Sequence, residues 1–391
     1  MLDAPTVFRT TGNVIFGPGS LEVLPEQVQF LRGSNVMIVT DPGIKRSGIL
    51  DRAESLLSAA GIEFASYSQV EPEPPTTSID HCAQAIRDSG ADLIVGLGGG
   101  SSMDTSQIAS CAVANNLKTD AMVGVEQIPG PGLPMISVST TAGTASEVTG
   151  NAVTVLADRS NKMAVVSPYI YPNVAIVDSE LTYGVPPHIT AATGVDAFCH
   201  AAESYISVKA TIHTQMYASH AMDAILSALP KVMSDGGDTD ARDRMALGSL
   251  FAGYTLANAG TVMVHAMAHV LGARARIPHG IANALCLLPA MRFYVERAPE
   301  KIAMLAKPLG INDRLDAERM TDVKGCAQAA LGIMESLIGG LGFDLNLQSY
   351  GVDRDDLRDM AEVTAGTKRL MQQSPVEATT DEVEKLFQSI Y

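Results

Sequence analysis

ADLIVGLGGGSSMDTSQIAS, residues 91–110, decides the fold class of this chain. Its first half is apolar and β-branched, as a strand requires; Gly98, Gly99 and Gly100 then form a tight turn, and Ser101 and Ser102 open a helical stretch. A strand running through glycines into a helix brings free backbone N–H groups and the positive end of a helix dipole to one point, which suits a phosphate. Glycines let the backbone approach an anion closely, and the serines add hydroxyl donors or cap the helix. A plain βα turn is the alternative, and three successive glycines followed by two serines favour the phosphate. The spacing is not the G-x-G-x-x-G fingerprint, and no acidic residue ends a strand about 20 positions later, so a dinucleotide fold other than the Rossmann type is implied.

Working outward, the same kind of run recurs at NVMIVTD (35–41), LPMISVST (133–140) and NVAIVDS (173–179). Apolar runs separated by helical stretches from about residue 12 to 180 predict a parallel sheet covered on both faces. EPEPP (71–75) reads as a rigid surface turn after a strand. After GVPPHIT (184–190) the strand signal fades and helical patterns continue to the C-terminus. Pro186 and Pro187 disfavour helix at the junction, which predicts an α/β domain over 1–185 and an all-α domain over 186–391.

Asp41 ends the run NVMIVTD at the carboxyl end of a strand. There its carboxylate would accept hydrogen bonds from an adenosine ribose and repel a 2′-phosphate, favouring NAD over NADP; stabilising the DPG turn is its other reading. STTAGTASEVTGNA (139–152) offers Thr140, Thr141, Thr144 and Ser146 among small residues, a composition suited to a cofactor or substrate cleft or to a Ser/Thr-rich turn.

The second half carries a different chemistry. GVDAFCHAAES places Asp196 and His200 four apart, on one face of a helix and one turn from each other. VHAMAHVLGARARIPHGIANAL (264–285) holds His265 and His269 at the same spacing, with Gly272 and Pro278 expected to break the helix so that His279 returns from a turn. One carboxylate and three imidazoles exceed what a divalent metal needs from a protein, and these ligand types accept zinc or iron. Spacing alone selects His265 and His269 as ligands, by analogy with H-E-x-x-H helices. Ala266 stands where that motif has its glutamate base, which disfavours a metalloprotease.

The chain has 391 residues, 46% hydrophobic and 18% charged, with a formal net charge of -16. That charge, with no basic run, argues against nucleic acid and anionic membrane as partners. No run approaches the roughly 20 apolar residues of a spanning helix. Five cysteines without a CxxC, and an N-terminus MLDAPTVFRT with no basic or apolar leader character, predict a reduced, cytoplasmic protein.

GGGSSMDT, TTAGTASEVT, ATGVDAFCHAAESYIS and VHAMAHVLGARARIPHGIANALCLLP closely resemble the iron-containing, or group III, alcohol dehydrogenase family, from FGPGSL (16–21) through LLP (287–289) and on to the C-terminus. The resemblance implies a dehydroquinate synthase-like fold, with an N-terminal α/β dinucleotide-binding domain, an all-α C-terminal metal-binding domain and a cleft between them for the alcohol. It implies an NAD(P)-dependent oxidoreductase acting on CH–OH groups, an alcohol dehydrogenase or aldehyde reductase that moves hydride between nicotinamide and a small alcohol or diol. Metal ligands are implied at Asp196, His200, His265 and His279, which replaces the choice made from spacing, with His269 nearby as a catalytic proton-relay group. Cofactor positions are implied at Asp41, Gly98, Gly99, Gly100, Ser101, Thr140, Thr141, Asn151 and Lys162, the last through ribose hydroxyls. Fe(II) is the implied metal with Zn(II) as the alternative, NAD the implied cofactor ahead of NADP, and a homodimer the implied assembly.

There are departures from the family. Ser102 stands where many relatives have proline, Glu73-Pro74 where they often have Asn-Pro, and Arg274 and Arg276 where aromatic or polar residues are common; the arginines read as surface charges or as a greeting for an anionic substrate. The other readings are a zinc polyol (glycerol-type) dehydrogenase, a metal-free reductase, a dehydroquinate-synthase-like enzyme, a metal-dependent hydrolase on the same ligands, and a non-catalytic dinucleotide-binding or metal-storage protein.

Overall fold

The computed structural model describes residues 5–156, 162–311 and 322–391. It divides into two compact units, one of Thr10–Val185 and one that joins residues 5–9 to Pro186–Tyr391.

In the first unit strands and helices alternate: β1 (Asn13–Phe16), α1 (Leu24–Phe30), β2 (Asn35–Val39), α2 (Pro42–Arg46), α3 (Ile49–Ala59), β3 (Glu63–Tyr67), α4 (Thr76–Ser89), β4 (Leu93–Gly98), α5 (Gly100–Ala114), β5 (Gly124–Val125), β6 (Met135–Ser139), β7 (Asn151–Val155), β8 (Lys162–Val166) and β9 (Val174–Val177). Six strands form a parallel sheet in the order β1-β9-β6-β4-β2-β3. Each central strand sends alternate residues to opposite faces. Val36 and Ile38 of β2 and Leu93, Val95 and Leu97 of β4 enter one apolar cluster, while Met37, Val39 and Ile94 enter another. Helices cover both clusters, so these strands are apolar throughout.

The four apolar runs became β2, β4, β6 and β9, the four inner strands. The edge strands β1 and β3 are partly exposed along their length and carry no continuous apolar run, which is why the sequence does not announce them. A second sheet, β5-β8-β7, with β7 and β8 antiparallel, was likewise not anticipated. In EPEPP, Glu73 takes a left-handed φ of 47° and α4 starts at Thr76, so the chain bends there. The segment is not the surface turn its composition suggests: Pro74 and Pro75 are buried, and Pro75 bridges to Val155 at the end of β7.

The second unit is helical: α6 (Pro187–Ile206), α7 (Ile212–Ser234), α8 (Thr239–Ala259), α9 (Met263–Ala275), α10 (His279–Arg297), α11 (Pro299–Ala303), α12 (Val323–Gly339), α13 (Leu357–Gly366), α14 (Lys368–Met371) and α15 (Thr380–Gln388). Pro187 occupies the first turn of α6, where its missing N–H costs nothing. Residues 5–9, placed by the sequence in the α/β domain, group instead with the helices. The cause is Phe8, whose ring stacks on Tyr217 of α7 at 5.7 Å and meets Tyr254 of α8 edge-on at 6.4 Å. Among the described residues no single helix is long and apolar enough to cross a membrane.

Candidate metal centre and dinucleotide cradle

Asp196 and His200 sit one turn apart on α6, His265 lies in the first turn of α9, and His279 is the first residue of α10. The Nε2 atoms of all three histidines lie 3.5 Å from Asp196 Oδ1, and the four donor atoms fall within 4.8 Å of one another. Four donors about 2.1 Å from a central cation stand about 3.4 Å apart along the edges of a tetrahedron. The spacing therefore fits one ion held by all four groups. Asp196, His200 and His265 are buried and His279 is partly exposed, which leaves an approach on its side.

The electrostatics agree. Burial raises the Asp196 carboxyl, but His200, His279 and His265 outweigh it and hold it well below the usual carboxylate range. Burial disfavours the His265 imidazolium, yet Glu203 and Asp196 overcome it and raise that ring to about 9. The Asp196 carboxylate and the His265 ring thus stabilise one another's charged forms within the cluster.

The fourth donor depends on close contact between two helices. A Cβ on Gly280 would meet the Ala192 carbonyl oxygen at 2.1 Å, so only glycine lets the start of α10 abut α6. That contact brings His279 to the cluster. His269 stands outside it, with ring centroids 5.5 Å from His279 and 6.2 Å from His265. Gly272 does not break the helix, as the sequence suggested; α9 continues to Ala275 and ends at Arg276 in a left-handed conformation, φ 55°. Pro278 precedes α10 as its N-cap. Arg274 forms a surface pair with Asp359 at 2.9 Å, satisfying its reading as a surface charge.

Two residues at this centre escaped the sequence reading. Asn283, one turn along α10 from His279, is fully buried and its Nδ2 donates to Asp196 Oδ1 at 2.7 Å. Glu203, three residues after His200, faces His265. Both continue the helical spacing of recognised site residues, which is the signal that would have found them.

In the α/β unit the cradle forms at the carboxyl ends of β2, β4 and β6. Gly96 of β4 pairs with Val39 and Gly98 with Ser139, so Asp41, the glycine loop and Thr140 follow three adjacent strands. The chain leaves β2 for β3 on one side and returns to β4 on the other, the reversal at which open α/β sheets bind ligands. Gly98 has φ 150°, and a Cβ there would meet the Ser102 hydroxyl oxygen at 2.6 Å. Gly99 precedes α5 as its N-cap and supplies no side-chain cap to the N–H groups of its first turn.

Asp41 has two attachments. Its Oδ1 accepts from Gly43 N at 2.7 Å and Ile44 N at 3.2 Å, capping α2, and its Oδ2 accepts from Ser102 Oγ at 3.1 Å. The turn role is thus real, and the departure Ser102 supplies a second hold on the carboxylate. Glu73 donates its N–H to Ser101 Oγ at 3.2 Å and pairs through its carboxylate with Lys162 Nζ at 3.0 Å. This residue, also a departure, links two of the expected cofactor positions. Thr140 N donates to Gly98 O at 3.0 Å, and Asn151 begins β7.

Comparison with known proteins agrees with this architecture. Residues 11–179 match the family described as iron-containing alcohol dehydrogenase, and residues 190–391 match the C-terminal part of the Fe-containing alcohol dehydrogenase family. The chain is 36% identical to a sulfoacetaldehyde reductase of Bilophila wadsworthia over 98% of each chain. It superposes on a crystal structure of 1,3-propanediol oxidoreductase with a TM-score of 0.94 at 33% identity, covering 99% of this chain and 100% of that one. A sulfoacetaldehyde reductase from Bifidobacterium kashiwanohense, solved in complex with NAD+, is similar with a TM-score of 0.84 at 26% identity over 99% of each chain. The strand order, the helical unit and these matches over nearly the whole length establish that the chain belongs to the iron-containing alcohol dehydrogenase family.

Proposed function

We propose that the enzyme interconverts small alcohols or diols with their aldehydes or ketones, using NAD(H) and a divalent metal, Fe(II) by family, held by Asp196, His200, His265 and His279. The observation carrying this reading is the 3.5 Å separation of three imidazole nitrogens from one carboxylate oxygen in a buried pocket. The relatives compared are named for a two-carbon sulfonated aldehyde and a three-carbon diol, which supports a short, oxygenated substrate.

When bound, the metal supplies Lewis-acid polarisation of the substrate oxygen, and the nicotinamide gives or takes the hydride. The remaining work belongs to the chain. Backbone N–H groups around Gly98, Gly99, Gly100 and Ser101 bind the pyrophosphate, with Thr140 and Thr141 beside them. Asp41 accepts from the adenosine ribose and disfavours NADP through charge. Lys162, held by Glu73, donates to ribose hydroxyls, and Asn151 lies near nicotinamide and substrate. His269 passes the alcohol proton toward solvent through its ring nitrogens. In this reading residues 1–185 are the dinucleotide-binding domain and 186–391 the metal-binding domain, with residues 5–9 belonging structurally to the latter.

We further propose a cytoplasmic homodimer. Its supports are the absence, among the described residues, of a disulfide joining the five cysteines, which suits a reducing compartment, and the outer edge of β1, which pairs with no strand among the described residues and offers backbone groups to a second copy.

The test is a panel of short alcohols and aldehydes assayed by NADH and NADPH absorbance on metal-stripped protein reloaded with Fe(II) or Zn(II). Turnover restored by Fe(II) with NAD(H) supports the reading. Equal turnover of the stripped protein, or metal-dependent hydrolysis without any change in NADH, overturns it.

A further inference from the structure

Glu203 lies on the same face of α6 as Asp196 and His200, at positions i, i+4 and i+7, and is fully buried. A carboxylate in the core is costly unless its lone pairs are filled. Here they are filled by one neighbouring segment. Oε1 accepts from Val262 N at 2.9 Å, Val264 N at 2.9 Å and His265 N at 3.3 Å. These are N–H groups at the start of α9, whose own N-cap residue, Val262, has no side chain able to cap it. Oε2 meets Nδ1 of His265 in a short contact. One side chain thus caps α9 and holds the ring of the residue in its first turn.

The chemistry of the pair fixes the proton. An ionised carboxylate only accepts, so Nδ1 of His265 must donate, and in the neutral ring, the form that can bind a cation, the lone pair is then on Nε2, the nitrogen that faces Asp196 Oδ1 at 3.5 Å. A glutamine in the same place could still accept the three backbone bonds through its oxygen. Its NH2 would then face Nδ1 and favour the opposite tautomer, with the proton on Nε2 and no lone pair for a cation.

We propose that Glu203 is the positioning residue of the metal centre: it sets the tautomer and orientation of His265 and ties the start of α9 to α6, so that its loss weakens metal binding while every ligand remains. The inference rests on the four-donor reading of the centre. It predicts a role for a group that would touch neither metal nor substrate.

The experiment measures Zn(II) affinity of the purified full chain by competition with a chromophoric chelator, together with thermal melting of the chelator-treated protein. Glu203→Gln is expected to weaken Zn(II) roughly 10- to 100-fold, as loss of a carboxylate behind a ligating histidine does, with a cation-free melting temperature close to that of the unaltered chain. Glu203→Ala should lose the same affinity and also melt earlier, since the cap is gone. Loss of less than tenfold in a folded Glu203→Gln variant overturns the proposal. His265→Ala is the control for the underlying reading: unchanged affinity there refutes the four-donor centre itself, whereas weakened binding there with intact binding in Glu203→Gln refutes only the role of Glu203. Should the Gln variant fail to fold, long-range 1H–15N correlation on the unaltered Zn(II)-loaded chain decides. A protonated Nδ1 on His265 supports the assignment, and a bare Nδ1 sinks it.

Discussion

Asn283 Nδ2 lies 2.7 Å from Asp196 Oδ1 and 3.3 and 3.4 Å from the Nε2 atoms of His265 and His279, so an amide donor rests against three of the four donor atoms of the candidate metal centre. In the absence of a cation this N–H is a hydrogen-bond donor to the buried Asp196 carboxylate, beside the three histidines that offset its burial. Removing the partner of a buried charged hydrogen bond costs about 1.5–3 kcal/mol. Asn283→Ala should therefore lower the melting temperature of chelator-treated protein, and the loss should shrink once metal is restored, because the cation then balances the same carboxylate. Equal losses with and without metal would show that Asn283 acts only by filling space.

Asp41 offers a test of cofactor choice that separates charge from capping. Its Oδ1 caps α2 while its Oδ2 is held by Ser102. Asp41→Ser keeps an N-cap hydroxyl and removes the negative charge. The ratio of kcat/KM for NADPH to that for NADH should rise about tenfold or more, an effect of about 1.4 kcal/mol. An unchanged ratio, with the protein folded, means that the carboxylate does not face the 2′ position.

How much of this was legible in the sequence follows from which contacts are local. Asp196 and His200 share one helix, and the glycine turn after β4 lies within one βα unit, so spacing and turn chemistry reveal both. The choice of His279 over His269 is not local. Helical spacing pairs His265 with His269, and only the approach of α10 to α6 at Gly280 brings His279 in. Glu203 reads as an ordinary charged residue until the N–H groups of α9 are known to surround it. Asp41 and Ser102 are 61 positions apart and meet because β2 and β4 are neighbours in the sheet. Their contact is a product of topology that no periodicity encodes.

Asp104 predicts a pH dependence confined to the α/β unit. It is buried in α5, with Oδ2 accepting from Val153 N at 3.0 Å. Burial pushes its carboxyl up from 3.8 to about 7, against smaller opposing effects from Val153, Ser146 and Lys162. The folded state therefore holds a proton between 3.8 and about 7 that the unfolded chain has released, so stability falls as pH rises through that window. Asp104→Asn keeps an acceptor for Val153 and removes the penalty. It should flatten the decline in melting temperature between pH 4 and 7 and stabilise the protein at pH 8, by up to about 4 kcal/mol. Glu147, also raised by burial to about 7, has the same sign, so part of the slope should remain. A variant less stable than the parent at pH 8 contradicts this account.

His269 tests whether a histidine can serve the centre without joining it. Its ring stands 5.5 Å from that of His279 and 6.2 Å from that of His265, outside the four-donor cluster. Removing it should leave the ligand set intact, so His269→Ala is expected to bind stoichiometric metal. As a relay it would hand the alcohol proton onward, a step that water can partly replace. Turnover should therefore fall by roughly 10- to 100-fold, toward the lower end of what a positioned proton-transfer group contributes. Added imidazole should recover part of the rate, and the pH profile of kcat should shift. Metal analysis and the pH–rate profile read the two roles separately. Loss of metal would make His269 a supporting part of the centre, and full activity with an unchanged pH profile would remove it from the proton path.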